Sequence, residues 1–274
     1  MLLEHVHGYL FLFFEIINLI FMQSKIQHFI NVNLNNHVDV NSNISLGDIV
    51  FYTFGGVEKF VPSPGNKFNM PIIWLASFVL FLFATLIYPV ISFEGVGNEI
   101  LLIGKKRFFW WISKCIFCII SSTIYLGLMF LTMIGFCFIK NIPLNLSIND
   151  TLIKFILEIS PIIELKANAN IPIRILFLIL LAFITLSLIQ LILCLWIKPI
   201  FSFLIVNTIL IASAFFQSYF TIGNFSMLVR HAWINEEGIN SDIGFYVFTI
   251  ICVVIIIVGA LRFKRYDILT REEN

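Results

Sequence analysis

Polar residues cut this chain into long apolar blocks. Runs rich in Leu, Ile, Phe and Val lie near residues 8–29, 71–91, 110–139, 173–197, 200–220 and 243–262. Each has about the 20 residues with which a helix crosses roughly 30 Å of hydrocarbon. The pattern predicts an all-α integral membrane protein with about six transmembrane helices, forming one transmembrane domain over residues 1–274. The first block is the weakest, because it carries Glu15 and Asn18 and runs into Gln23, Ser24 and Lys25. A count of five spans stays open for that reason.

The joints between blocks carry their own signals. Only Lys198 and Pro199 separate the fourth and fifth blocks, which predicts a tight helical hairpin with Pro199 in the first turn of the second helix, where its missing N–H breaks no bond. Trp196 and Lys198 then mark the membrane interface. The loop from about 30 to 70 is rich in Asn and ends in Gly55-Gly56 and Pro62-Ser63-Pro64-Gly65, which are turn signals rather than helix. The next long loop has Asn149-Asp150 as an N-cap, then Leu152, Phe155, Ile156 and Ile159 at helical spacing, then Pro161. That predicts a short helix on the same side of the membrane.

Composition agrees with the pattern. The chain is 59% hydrophobic and 12% charged, with a mean hydropathy of +0.98, whereas soluble domains are about 45–50% apolar and about 25% charged. Seventeen Lys and Arg against 16 Asp and Glu leave a net charge of +1, so nothing points to nucleic acid. The position of the charges says more. Lys105, Lys106, Arg107 and Lys114 follow span two, and Arg262, Lys264, Arg265 and Arg271 follow span six. By the positive-inside rule both segments, and with six spans both termini, are cytoplasmic. The start lacks a positive n-region and a small-residue cleavage site, so no cleaved signal peptide is expected.

The five cysteines, Cys115, Cys118, Cys137, Cys194 and Cys252, all fall in apolar runs and read as small buried hydrophobes. Cys115-x-x-Cys118 lies inside a span with no second pair, which argues against a zinc or redox site. No metal is expected.

Segment 92–111 is the most informative. Placed on a helix, Val96, Ile100, Ile103 and Arg107 share one side, with Phe108 to Trp111 forming the interfacial belt of the next span. Such a helix either lies along the membrane surface or seats in a groove of a soluble partner. Glu94-Gly95-x-Gly97, then Ile100-Leu101-x-x-Gly104-x-x-Arg107-x-x-Trp110-Trp111-x-x-Lys114-Cys115, after a span closing in Tyr88-Pro89, resembles membrane subunits of type-two ABC exporters, in a branch associated with bacterial peptides and bacteriocins. The resemblance extends upstream to Gly55-Gly56, Pro62-Ser63-Pro64 and Pro71-x-x-Trp74, and downstream to Ile222-Gly223-Asn224-x-x-Met227-x-x-Arg230 and the closing 264–269, about two thirds of the chain in patches.

The resemblance implies a six-span permease in the bacterial cytoplasmic membrane. Residues Glu94, Gly95, Val96, Gly97, Glu99, Ile100, Ile103 and Arg107 would form the cytoplasmic coupling helix that meets an ABC ATPase subunit, and a second permease subunit, identical or related, would complete the transporter. One departure stands: the basic amphipathic helix common before span one of such permeases has no counterpart in Met1-Leu2-Leu3-Glu4.

The ATP chemistry is expected elsewhere. Around Gly104-Lys105-Lys106 a phosphate-binding loop would need Gly at 99 and Ser or Thr at 106, where Glu99 and Lys106 stand. ATP and Mg therefore belong to the partner ATPase, and this chain needs no cofactor. The spans hold no Asp pair, H-E-x-x-H or G-x-S-x-G, Glu236-Glu237 is followed by Ser241 where a protease box needs Arg, and His5 and His7 are wrongly spaced for one helical face. No catalytic residues are expected.

Glu15 and Gln190 are the polar groups deepest in the spans. Glu15 is a proton or cation site, or it faces a partner helix or water, or the span starts after it; Gln190 fits an interhelical hydrogen bond. Asn224 and Arg230 belong either to a re-entrant segment before span six or, for Arg230, to the headgroup surface. The leading function is ATP-driven export or clearance of a peptide or other amphipathic substrate. The alternative is a membrane accessory, immunity or sensor protein that transports nothing.

Overall fold

The computed structural model describes residues 2–35, 44–60, 68–94, 107–159, 166, 169–219, 221–235 and 238–264. The chain is all-helical, and the described residues hold only two isolated bridge pairs, Ser147 with Asn170 and His231 with Ile239. The helices are α1 (Leu2–Asn35), α2 (Leu46–Phe54), α3 (Ile72–Glu94), α4 (Arg107–Lys140), α5 (Asp150–Leu157), α6 (Ile173–Leu193), α7 (Pro199–Phe215) and α8 (Ser241–Lys264). Two 3-10 turns, Ile222–Ser226 and Leu228–Arg230, stand between α7 and α8. Phe108–Lys140, Ile173–Leu193 and Ser241–Phe263 are long and apolar enough to cross a membrane, while the apolar stretches Ile72–Leu86 and Pro199–Phe215 are shorter.

Contacts fix the run of each long helix. The start of α3 meets the 3-10 turns through Trp74 and Ser226, and Leu82 meets Gln190 late in α6. Trp111 at the start of α4 donates to Ile256 O late in α8 at 3.0 Å, while Phe248 early in α8 packs on Phe225. The long helices therefore alternate in direction. One end gathers α2, α5 and the 3-10 turns into a polar-bonded cap. The opposite end gathers the start of α4, the turn between α6 and α7 and the close of α8, where Trp110 stacks on Phe263 with ring centroids 4.5 Å apart.

Helix α6 is the centre of the bundle. After an exposed first turn and Phe177 it is apolar on nearly every side and enclosed from Leu178 to Leu193. Its Phe183 stacks on Phe78 of α3 at 4.1 Å and meets Phe81, Tyr125 of α4 and Phe54 of α2 edge-on or tilted, joining four helices at one ring. Helices α4 and α8 leave broad apolar faces outward, Ile124, Leu131, Ile250 and Ile257 among them, as a lipid-facing surface requires.

Two expectations change. Residues 46–54, read as part of a turn-rich loop, form the nine-residue helix α2, and all nine residues are buried. The run is apolar but far too short to register as a span, and its helix is held by packing rather than by length. The turn signal holds at Gly56, whose φ of +73° suits glycine. Secondly, the fifth apolar block, expected to reach 220, is helical only to Phe215, where Phe216 turns extended and an arginine takes the last carbonyls. The short helix after Asn149 forms as α5, with the Asn149 side chain accepting Leu152 N–H at 3.3 Å. It closes at Glu158 in the left-handed conformation, before Pro161.

Candidate functional site

The most densely bonded part of the molecule is the cap around Arg230. Its guanidinium is 1% exposed and all five N–H groups are used. Nε donates to Val57 O at 2.7 Å, Nη2 to Ala214 O at 2.7 Å and Glu58 O at 3.2 Å. Nη1 donates to Ser213 O at 2.5 Å and to Asn224 Oδ1. Arginine alone offers five donors in a fixed plane. Ser213 and Ala214 lie in the last turn of α7, whose free carbonyls carry the negative end of the helix dipole. The cation is thus neutralised by oriented carbonyls, and among the described residues it makes no ion pair. Burial lowers its pKa to about 10, which leaves it charged at neutral pH.

Asn224 extends the clamp. Its amide shares two N–H groups among Phe216 O and Ser218 O, both at 2.8 Å, and Thr221 Oγ1, so one side chain closes the chain reversal after α7. Gly223 N–H donates to Ser213 Oγ at 3.1 Å. A Cβ at Gly223 would lie 2.7 Å from Ser213 Cβ and 3.0 Å from the Trp74 ring, so only glycine fits. Trp74 Nε1 donates to Ser226 Oγ at 3.0 Å, and Val229 N–H to Gly55 O at 3.1 Å. Residues 222–230 are therefore irregular backbone buried in protein and bonded to α3, to α7 and to the residue after α2, the setting that non-helical backbone near membrane depth requires.

His231 follows. One ring nitrogen pairs with Phe225 O at 3.0 Å, and Nδ1 has no partner. Burial pushes the ring down to about 4, so it is neutral. On the other side of the cap Asp48 joins α2 to α5: its carboxylate accepts Asn149 N–H at 2.7 Å and Ser45 N–H at 2.9 Å. Burial raises it to about 6 in spite of these bonds.

A second polar locus lies on α1. Its inward stripe runs Glu15, Asn18, Leu19, Met22, Ile26 and Phe29, the spacing of one helical face. Both Glu15 oxygens and Asn18 Nδ2 are buried with no partner. Beside them a cleft of about 630 Å³ opens between α1, the end of α2, the start of α3 and the end of α5. Asn18, Lys25, Asn69 and Glu158 are polar points in a mainly apolar wall. Lys25 Nζ donates to Ile156 O at 2.8 Å, and Asn69 Nδ2 to Glu158 Oε2 at 3.2 Å.

The structure thus joins Asn224 to Arg230 and keeps both apart from Glu15 and Gln190. Gln190 Nε2 donates to Leu82 O at 2.9 Å across α6 and α3, and its Oε1 is unpartnered. Glu94 is the last residue of α3 and Arg107 the first of α4. Gly95, Val96, Gly97, Glu99, Ile100 and Ile103 lie outside the described residues, as do Pro62-Ser63-Pro64, Pro161, Glu236-Glu237 and the tail from 265. Sequence reasoning missed Asp48, His231 and the Lys25–Glu158 cleft. Asp48, a lone acid in an apolar run, was the available signal. Among the described residues no three His, Cys, Asp or Glu side chains are grouped to hold a metal ion. No protein family, curated protein or solved structure matches the chain.

Proposed function

We propose that this chain is the permease subunit of an ATP-driven ABC exporter, with six membrane-spanning helices and a coupling helix over 94–107. One observation carries the reading: α3 ends and α4 begins at the end of the bundle opposite the bonded cap. Segment 95–106, whose residues bear the resemblance, is thereby connected to the end that also holds the α6–α7 turn and the close of α8. Arg107 and Lys114 at the start of α4 and Arg262 and Lys264 at the close of α8 lie at that end, which we read as the cytoplasmic one. The cap then faces outward.

In this reading two ATPase chains bind ATP and Mg, and their closure pushes on the coupling helix through Val96, Ile100 and Ile103. The permease pairs with a second copy or a related chain, and the pathway between them takes a peptide or other amphipathic substrate. The sealed cap supports it, because a helix bundle that rocks needs a rigid end, and Arg230 ties α7, the residues after α2 and the segment before α8 into one body.

Solubilised protein pulled down from its own host, compared with Glu99→Lys, tests the reading. An ATPase subunit is expected to co-purify with wild type and to be lost from the variant. If no ATPase ever co-purifies, the permease reading falls and the non-transporting accessory or immunity protein takes its place.

A further inference from the structure

We propose that the cleft beside α1 holds one phospholipid with a zwitterionic head group, its head between Lys25 and Glu158 and an acyl chain lying along α1 toward Phe14. The inference needs no ATPase and is independent of the transport reading.

The size suits it. At about 630 Å³ the cleft falls in the range of ligand sites, roughly 300–1,000 Å³, and has their makeup of apolar walls with a few placed polar groups. Phe21 and Ile72 line it and are 62% and 71% exposed, so its mouth is apolar and opens where lipid tails, rather than water, are the neighbours.

The charges choose the head group. The Lys25 ammonium spends one of its three N–H bonds on Ile156 O, which leaves two for a phosphate. Glu158, the residue closing α5, holds Asn69 through Oε2 and keeps its other oxygen for an ammonium. A cation and an anion at the same helix end match a zwitterion and disfavour a purely anionic head.

The depth fits as well. Asn18 stands seven residues before Lys25, about 10 Å deeper along the helix at 1.5 Å per residue. Its Nδ2 is unpartnered and the residue is 6% exposed. An orphan donor at that depth lacks an acceptor, and the ester carbonyl of a lipid supplies one without bringing a donor of its own. A peptide would bring backbone N–H groups into a wall that has few acceptors for them.

Native mass spectrometry of the detergent-purified full chain tests this, after incubation with dioleoyl phosphatidylethanolamine or, separately, dioleoyl phosphatidylglycerol. One phosphatidylethanolamine per chain is expected to survive activation that strips phosphatidylglycerol. Retention is expected to fall on the order of tenfold in Asn18→Leu and in Glu158→Gln, the loss of about one hydrogen bond to a charged or buried partner. Asn18→Leu is close in volume and removes an unsatisfied donor, so it folds; Glu158→Gln changes an exposed side chain and gives the same reading if it does not. Equal retention of both lipids, retention of neither, or variants that hold phosphatidylethanolamine as wild type does would each overturn the proposal.

Discussion

At the scale of single residues, Arg230 shows how a buried charge is kept without a counter-ion. Five carbonyl or amide oxygens surround it, two of them at the negative end of α7. Lysine in its place keeps the charge but at most three donors. Arg230→Lys is therefore expected to lose roughly 3–6 kcal/mol, from two missing bonds to a charged group at about 1.5–3 kcal/mol each, seen as a lower thermal midpoint in detergent. A midpoint equal to wild type would show that the fan of bonds contributes nothing. His231 makes the companion prediction. Its pKa falls from 6.5 unfolded to about 4 folded because burial disfavours the ring's charge. Below pH 6.5 the unfolded chain takes up a proton that the folded chain refuses. The stability this group permits is therefore complete above pH 6.5 and is lost as pH drops toward about 4. Asp48 acts with the opposite sign between about 4 and 6, since its folded value is raised, so the comparison is wild type against His231→Phe. The midpoint of wild type is expected to fall more steeply between pH 6.5 and 4.5 than that of the variant; parallel curves would contradict it.

At the scale of elements, the apolar blocks located the helices well and their ends less well. The fourth block, 173–197, became α6 ending at Leu193, because a turn had to fit before Pro199, and Lys198 takes the extended conformation that a following proline demands. The fifth stopped early because Arg230, distant in sequence, caps it. Helix α2 escaped notice for a related reason: nine mostly apolar residues become a helix only when α3, α4 and α5 enclose them, and a window scan registers length, not enclosure. Asn224 and Arg230 were legible as a candidate pair, but their burial depends on Val57, Glu58 and Ser213, which no local pattern connects. Close packing also separates two glycines that look alike in sequence. A methyl at Gly259 would lie 1.9 Å from Trp111 Cζ2, and the indole is held by its bond to Ile256 O, whereas Gly127 has nothing within 4 Å. Gly259→Ala is expected to cost about 1–3 kcal/mol through overpacking. Gly127→Ala should gain about 0.5–1 kcal/mol from helix propensity. Thermal midpoints of the two variants, read side by side, check both signs.

At the scale of the whole molecule, the fold is a bundle with two unlike ends: a cap closed by internal hydrogen bonds, and an opposite end marked by the Trp110–Phe263 stack and basic residues. The sequence carried the membrane nature of the chain because bilayer thickness imposes a length on each block. It did not carry the cap, whose bonds join residues up to 173 positions apart. The orientation of the two ends is the claim from which the rest follows. The measurement is cysteine labelling in intact cells with a membrane-impermeant maleimide, comparing Lys140→Cys beside the cap with Glu99→Cys in the segment between α3 and α4. The native cysteines are buried or half-buried, so background is low. Lys140→Cys is expected to label from outside, and Glu99→Cys to stay unlabelled until the cells are opened. Labelling of Glu99→Cys from outside would contradict the account.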